Sequence, residues 1–589
     1  MEAEAPKSVG LGRFARRFLR HKKRLALGFA AIPLAQLGDV GITLLIRDAL
    51  NKIQAGEGDG HLKTTFGMVI GLAVFYGLFR FAQRWFIVST SRFFERELKQ
   101  DLFDRLSGLS FNFHDKSRSG DVVSRATSDV ENLRMFLGPG MMYCGGAFVI
   151  LPVTLTLLFS VHPQMAATIL APLILMGLTI RVTAPRLHKW STAVQESLAD
   201  ISSRAQESFA GVRVVRGYAR EEERSDRFAV DSASNRDNQI VLSRWRGFQS
   251  AIIHVANDLC FAVILILGGY GLLAGDFKEG DLFLFIDLVI KVFWPIIALG
   301  WMAGIYPRAV ASAKRVSELL DAESEIKEPA EPVSLGELRG EIQLNGVCFQ
   351  HEGAEIATLS SIDLNVPAGS TIGIVGPTGC GKTTLLGLIG RLHDTTAGEI
   401  KLDGIGVRDV KLEELRSALS YVPQDSFLFS DTYRNNLLFG ADEPQSDEEL
   451  LALVETACMT AEVAAFPNGL DEMIGERGVT LSGGQRQRTC IARALARDAR
   501  ILILDDCLSA VDTETEGELL SGLRDAGSER TVLVAAHRLS TVSHADQVLV
   551  LSKEGTISDR GTHTELTQRP GWYQETWKRQ QAEEALGEL

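Results

Sequence analysis

The stretch Gly376-Pro377-Thr378-Gly379-Cys380-Gly381-Lys382-Thr383-Thr384 decides how the chain is read. Gly376, Gly381, Lys382 and Thr383 stand at the spacing G-x-x-x-x-G-K-[ST], directly after the apolar run Thr371-Ile372-Gly373-Ile374-Val375. A strand that empties into such a loop and then into a helix offers successive backbone N–H groups and a helix N-terminus to a triphosphate. The lysine ammonium reaches the outer phosphates and the Thr383 hydroxyl holds Mg2+. The pattern predicts a site for ATP with Mg2+.

Downstream, Ile501-Leu502-Ile503-Leu504 ends in Asp505-Asp506. A short unbroken apolar run reads as a buried parallel strand, and an acid at its C-terminal end sits where an α/β sheet binds ligands. Asp505 can therefore hold the Mg2+ of the nucleotide at Lys382. Between loop and strand lies Leu481-Ser482-Gly483-Gly484-Gln485-Arg486-Gln487-Arg488, a serine and two glycines opening a helix. This is a second phosphate-seeking helix N-terminus in a chain that already has one, so it is expected to serve a nucleotide held by another subunit. Val532-Leu533-Val534-Ala535-Ala536 then runs into His537, again a strand ending in a reactive side chain.

The half before this is different in kind. Apolar runs of about the 20 residues needed to cross hydrocarbon as helix recur near Leu25 to Ile46, Thr65 to Ser89, Leu137 to Ser160, Met165 to Val182, Phe248 to Ala274 and Leu282 to Met302. Eight Lys/Arg lie between Arg92 and Arg134 and twelve between Arg181 and Arg246, whereas Val161-His162-Pro163-Gln164 has none and Gly275 to Gly280 only Lys278. Positive charge stays inside, which places the two long loops, both termini and the polar half in the cytoplasm. The basic N-terminus (Lys7, Arg13, Arg16, Arg17, Arg20, Lys22, Lys23, Arg24), interleaved with Phe14, Phe18 and Leu19, reads as an amphipathic helix on that face.

The long loops carry helical periodicity, as in Phe94 to Phe103, so the spans are expected to continue well below the membrane. Ser119 to Val130 and Phe209 to Tyr218 each set a glycine break beside a compact amphipathic turn, suited to docking on a cytoplasmic surface. Charges well inside the spans are few: Asp39, Arg80, Arg84, Asp258, Asp287 and Lys291. Asp287 and Lys291, four apart, can satisfy each other. A linker follows, so that residues 1–320 form a transmembrane domain, 321–339 the linker and 340–589 the nucleotide-binding domain. The net charge of −13 and the lack of a basic aromatic stripe exclude a nucleic-acid surface. Seven cysteines stand singly, without metal-ligand spacing.

In this order the elements resemble the ATP-binding cassette (ABC) exporters, over nearly the whole chain. The matching motifs are Walker A (Gly376 to Thr384), the Q-loop (Gln424 in Tyr421-Val422-Pro423-Gln424), the signature (Leu481 to Gln485), Walker B (Ile501 to Asp505), the D-loop (Ser509-Ala510-Val511-Asp512) and the switch histidine (His537). The membrane half resembles the six-span, type IV multidrug-resistance-like exporters, whose loops with S-G-D-x-x-S-R and G-x-R-x-V-x-x-Y carry coupling helices. The resemblance implies an all-α six-helix transmembrane domain fused to an α/β P-loop cassette, a half-transporter in a bacterial inner membrane. It implies a second half-transporter, a lipid bilayer and a hydrophobic or amphipathic cargo as partners.

It also implies roles. Gly376, Pro377, Thr378, Gly379, Cys380, Gly381, Lys382, Thr383 and Thr384 would bind the nucleotide. Thr383, Gln424 and Asp505 would hold Mg2+, and His537 would meet the γ-phosphate. Ser482, Gly483, Gly484 and Gln485 would clamp the partner's ATP. Two positions depart from the family pattern. The aromatic expected to stack on adenine is His351, in Val347-Cys348-Phe349-Gln350-His351. The Glu that polarises the attacking water is Asp506, whose carboxylate reaches about one C–C bond less far; a misplacement of about 1 Å can cost about 10²-fold in rate. The chain then resembles the degenerate-site subunits of heterodimeric bacterial multidrug exporters, moving drugs or lipids with a hydrolytically weak site of its own. The alternatives are a homodimeric lipid or peptide exporter and an ATP-gated regulatory membrane protein.

Overall fold

The structure, a computed structural model, describes residues 10–587 except 57, 442, 476, 477, 479 and 527–529. Lys7 of the basic N-terminus lies outside the described residues. The chain divides into two units. One takes the sequence through Gly108 and again from Ser117 to Ala322; the other takes Leu109–Lys116 and everything from Glu323.

The first unit is helical. Among the described residues, six helices are long and apolar enough to cross a membrane: α1 (Gly12–Gln54), α2 (Gly58–Ser107), α4 (Ser119–Val161), α5 (Pro163–Ala210), α7 (Glu221–Ala274) and α8 (Glu279–Asp321). At 43 to 54 residues and 1.5 Å per residue they are roughly 65–80 Å long, more than twice a hydrocarbon core. Each expected span is therefore a segment of a longer rod, as the periodicity of the loops implies. The short helices α3 (Phe111–Lys116) and α6 (Val212–Gly217) occupy the two long turns.

The apolar side of the basic N-terminal segment is covered by protein only in part, since Leu19 remains 57% exposed. Phe14 and Phe18 are buried, and Phe18 meets Phe94 edge-on at 5.8 Å. Along α1, Asp39, Thr43, Arg47 and Asn51 recur every four residues and so share one face. They meet α8. Lys291 Nζ lies 2.8 Å from Asp287, as the spacing suggests, and also 3.1 Å from Asp39 and 2.6 Å from Thr43 Oγ1. Arg47 pairs with Asp281 at 2.5 Å, and the Gly280 N–H donates to Asn51 at 2.9 Å. The expected two-residue ion pair is thus part of a polar seam between helices.

One expectation shifts. Ser119 to Val130 is continuous helix within the first unit, and the docked turn lies upstream at α3. There Asn112 donates to Glu325 at 2.6 Å, Lys116 pairs with Glu352, and Phe111 meets His393 edge-on. In the second turn, α6 follows Gly211 and leaves Phe209, Val214 and Tyr218 strongly exposed.

The second unit is α/β. An antiparallel sheet runs β2-β1-β4-β5, from β1 (Ile342–Phe349), β2 (Leu359–Val366), β4 (Ala397–Leu402) and β5 (Ile405–Gly406). The main sheet runs β10-β9-β3-β8-β7-β6, from β3 (Thr371–Val375), β6 (Leu419–Val422), β7 (Ile501–Asp505), β8 (Thr531–Ala535), β9 (Gln547–Leu551) and β10 (Ile557–Gly561). All its pairings are parallel except β9 with β10. Helices α9 (Lys382–Ile389), α10 (Leu412–Ser417), α11 (Tyr433–Leu438), α12 (Asp447–Thr456), α13 (Thr460–Ala465), α14 (Gly483–Leu495), α15 (Thr513–Ala526), α16 (His563–Gln568) and α17 (Trp572–Gly587) complete it. Every residue of β7 is buried, as a strand covered on both faces requires. The register pairs Val422 with Leu504 and Asp505 with Ala535, so β6, β7 and β8 end level; β3 ends on the same edge.

Candidate nucleotide site

That common edge gathers the residues that the sequence singles out. Gly376 leaves β3, Gln424 follows β6, Asp506 follows β7 and His537 follows β8. The Asp506 N–H donates to Ala535 O and the Ala536 N–H to Ile374 O, stitching the strand exits together.

Two glycines make the loop after β3 possible. Gly376 has φ +153°, and a Cβ there would lie 2.5 Å from the Leu551 carbonyl oxygen. Gly381 has φ +97° and would place a Cβ 2.8 Å from Leu359. Gly381 is also the residue before α9, whose first turn receives no side-chain cap. An uncapped helix N-terminus at the end of such a loop is what an anion cradle needs. Lys382 is buried and curls back, its Nζ donating to Gly376 O at 3.0 Å and Pro377 O at 3.3 Å. Cys380 Sγ lies 3.9 Å from the same nitrogen, and burial pushes its thiol above the ordinary range. Thr378 and Gly379 form the exposed rim, while Thr384 continues into α9.

Thr383 Oγ1 donates to Asp505 Oδ1 at 3.0 Å, and Tyr421 OH to Asp505 Oδ2 at 3.1 Å. Burial raises the Asp505 carboxyl and pushes the Tyr421 phenol up as well. Tyr421 is a participant that sequence reasoning missed, because only the pairing of β6 beside β7 carries it to Asp505. The buried Asp505 carboxylate and the Thr383 hydroxyl that meets it are hard oxygen donors of the kind that suits Mg2+, and Gln424, beside the neighbouring Asp506, carries a further amide oxygen. The chemistry of the residues present therefore fits that ion.

Asp506 stands at φ +45°, a left-handed conformation that Asp accepts more readily than most residues. Its carboxylate is 12% exposed; Gln424 Nε2 donates to Oδ2 at 3.3 Å, and His537 Nε2 lies 4.0 Å away. Asp506, Gln424 and His537 thus converge on one point. His351 follows β1 of the other sheet, whose end is tied to the loop through Thr358. Phe349 pairs with Leu359, the Thr358 N–H donates to Phe349 O, and a Cβ on Gly381 would touch Thr358. The exposed His351 ring sits edge-on to Phe349 at 4.8 Å and to His393 at 5.8 Å.

Ser482, Gly483, Gly484 and Gln485 are placed elsewhere, against the turn after β7. A Cβ on Gly484 would lie 2.8 Å from Ala510 O, and Gln487 accepts from the Ala510 N–H at 3.0 Å. Ser482 Oγ accepts the Gln485 N–H at 3.2 Å, while Gln485 Oε1 accepts the Ser482 N–H at 2.9 Å. The two side chains cap their own helix reciprocally.

Comparison with known proteins identifies both regions of the chain. Residues 25–296 match the ABC transporter transmembrane region, and residues 359–509 match the ABC transporter model. The chain is 32% identical over 528 residues to the multidrug resistance-like ATP-binding protein MdlA of Escherichia coli, covering 90% of this chain and 89% of that one. It is 31% identical over 557 residues to the ATP-dependent lipid A-core flippase of Vibrio vulnificus, covering 94% and 95%. Among solved structures, a bacterial Atm1-family ABC exporter with ATP bound superposes with a TM-score of 0.76 at 26% identity, over 95% of this chain and 98% of that one.

Proposed function

The chain belongs to the ABC transporter family, as an ATP-hydrolysing exporter with a transmembrane region and an ATP-binding cassette, and from that premise we propose that it is a subunit of a dimer exporting amphipathic drugs or lipids, whose own Walker site binds ATP but hydrolyses it slowly. Both termini and both long turns lie in the cytoplasm, which the distribution of Lys and Arg supports. The exposed apolar tip at Phe209, Val214 and Tyr218 suits docking on the second subunit.

Each residue has one task in this reading. Lys382 releases its hold on the loop carbonyls and pairs with the outer phosphates, while the N–H groups of Gly379 to Thr383 line the cradle. Thr383, Asp505 and Gln424 hold Mg2+, which when bound neutralises charge on the β- and γ-phosphates. Tyr421 orients Asp505. His351 offers a ring to adenine, backed by Phe349. His537 donates to the γ-phosphate from its place 4.0 Å from Asp506. Ser482 and Gly484 complete the site of a nucleotide held by the partner.

The observation that carries the slow-site reading is Asp506. It occupies the position of the water-polarising base, but its carboxylate is one methylene short and already accepts from Gln424. A general base must reach its proton within hydrogen-bonding distance, so a short side chain costs rate and leaves binding intact. The partner then supplies the competent base, and Ser482 and Gly484 face the productive nucleotide. The test purifies the chain alone and with a second half-transporter that carries Glu after its Walker B strand. Heterodimer turnover is expected to survive Asp506→Asn and to collapse when the partner's base is changed to Gln. Brisk ATP hydrolysis by the homodimer, abolished by Asp506→Asn, sinks the proposal. That outcome favours a homodimeric lipid exporter, a reading that the lipid A-core flippase relatives support. ATP-dependent uptake of cargo into inverted vesicles separates either exporter from a regulatory protein gated by ATP.

A further inference from the structure

His537 leaves the sheet at the end of β8 with its side chain 42% exposed and 4.0 Å from the nearest carboxylate oxygen, that of Asp506. The ring has little to hold it directly, so its place depends on the backbone that carries it. Two helices hold the segment, one through side chains and one through the backbone itself. On one side the buried Glu516 of α15 accepts Arg538 Nη1 at 3.3 Å and pairs with the Thr541 hydroxyl. On the other side is Gln580 of the C-terminal helix α17. Its Nε2 donates to the His537 carbonyl at 2.9 Å, and its Oε1 accepts the Leu539 N–H at 2.9 Å. Glu516 therefore holds the residues that follow the histidine. Gln580 holds the histidine's own peptide, and a single planar amide supplies both bonds.

Helix α17 is well seated for this. Tyr573 is buried with its hydroxyl 2.7 Å from His563 Nδ1; Trp577 meets the same imidazole edge-on at 4.7 Å; and Gln574 donates to Thr567 O at 2.8 Å. Trp577 and Gln580 are three residues apart and so lie on one side of the helix. The packing that seats α17 also delivers the amide to the switch.

We propose that Gln580 is a positioning residue for His537, so that the C-terminal helix sets the geometry with which the cassette senses a γ-phosphate. The inference rests on the reading of His537 as the γ-phosphate contact. A residue that merely docks α17 would, when changed, weaken every nucleotide alike. A residue that positions His537 acts only on nucleotides with a third phosphate.

The experiment uses the purified full-length chain with Mg2+ and two fluorescent probes, mant-ADP and mant-AMP-PNP. The Walker loop, Asp506, His537 and Gln580 lie in one chain, so the readout needs no turnover and no knowledge of the partner. Gln580→Leu removes both bonds at similar volume. Gln580→Glu keeps the acceptor for Leu539 but turns a second oxygen toward the His537 carbonyl, pushing that peptide away. Both are expected to weaken AMP-PNP binding about tenfold, the size of one lost charge-assisted hydrogen bond, with ADP binding unchanged. His537→Ala gives the full effect. If His537→Ala lowers AMP-PNP affinity selectively while both Gln580 variants bind like the wild type, or weaken the two probes equally, this proposal fails alone. If His537→Ala itself leaves the ratio unchanged, the γ-phosphate reading of His537 falls and takes the proposal with it.

Discussion

The cassette contains two glycine-rich helix N-termini, and they are built in opposite ways. Helix α9 opens from Gly381 in a left-handed conformation, with no side chain capping its first turn and Lys382 folded into the hollow. Helix α14 opens from Ser482, whose hydroxyl accepts the Gln485 N–H while Gln485 accepts the Ser482 N–H. The first is incomplete until an anion arrives. The second is complete as it stands, and an incoming phosphate competes with a cap already formed. On the function proposed here, the contrast separates a site that one chain prepares for its own nucleotide from a surface that yields only when another subunit brings one. It also gives a physical basis for expecting ATP capture to precede closure of the dimer.

The largest break in that contrast is Lys382→Ala. It removes the one cation in the loop and leaves the Gly376 and Pro377 carbonyls without their donor. Hydrogen bonds to charged groups contribute roughly 1.5–3 kcal/mol each, so ATP affinity of the full-length chain is expected to fall by about 100-fold or more. Direct nucleotide binding checks it; an affinity within about threefold of the wild type would remove the lysine from the site. The corresponding change at the second terminus, Arg486→Ala, is expected to leave ATP binding by the same chain untouched.

Much of this was legible in the sequence, and the legible parts share a cause. The phosphate loop, the strand ending in Asp505 and the six spans are local patterns, in which neighbouring residues alone fix the backbone. The parts that escaped are contacts across the fold. Asp39 joins Lys291 from 252 residues away, Tyr421 reaches Asp505 only through strand pairing, and Gln580 meets His537 from the far end of the cassette. The docked turn at α3 escaped for a different reason: six residues are too few for periodicity to register, and the glycine at 120 drew the expectation downstream.

Asp506→Glu sharpens the comparison next, because it alters what the α9 site does after binding while leaving its readiness unchanged. The longer carboxylate moves outward by about the 1 Å whose misplacement can cost about 10²-fold. Turnover at the chain's own site is therefore expected to rise about 10- to 100-fold with ATP affinity unchanged. The position itself sets a limit, since φ +45° suits Asp better than Glu and part of the gain will be lost to backbone strain. Steady-state hydrolysis by the chain alone measures it, and no increase would mean that reach is not what limits the site.

Steric changes follow at a smaller scale. Gly376→Ala drives a methyl to 2.5 Å from the Leu551 carbonyl, a backbone atom that cannot swing away, whereas Gly483→Ala brings a methyl only to 3.6 Å from Ala510 Cβ. The first is expected to lower cassette stability by about 1–3 kcal/mol, the usual cost of overpacking. The second stays within about 0.5 kcal/mol, the range of a surface substitution. Thermal unfolding distinguishes them, and equal melting temperatures would contradict the close approach at Gly376.

The finest test acts on the cap of α14 itself. Ser482→Ala removes the hydroxyl that satisfies the Gln485 N–H, which costs about 1 kcal/mol of helix stability. Lost stability and lost contact with a partner's nucleotide would then fall together and could not be told apart. Ser482→Asp separates them, because aspartate caps a helix as well as serine does while its negative charge opposes a phosphate arriving at the same N-terminus. The aspartate variant is expected to melt like the wild type and to bind ATP normally at the Walker loop, yet to lose dimer turnover as fully as the alanine variant. Normal turnover with aspartate at 482 would mean that the helix needs only its cap, and that the second terminus is a structural element that meets no nucleotide.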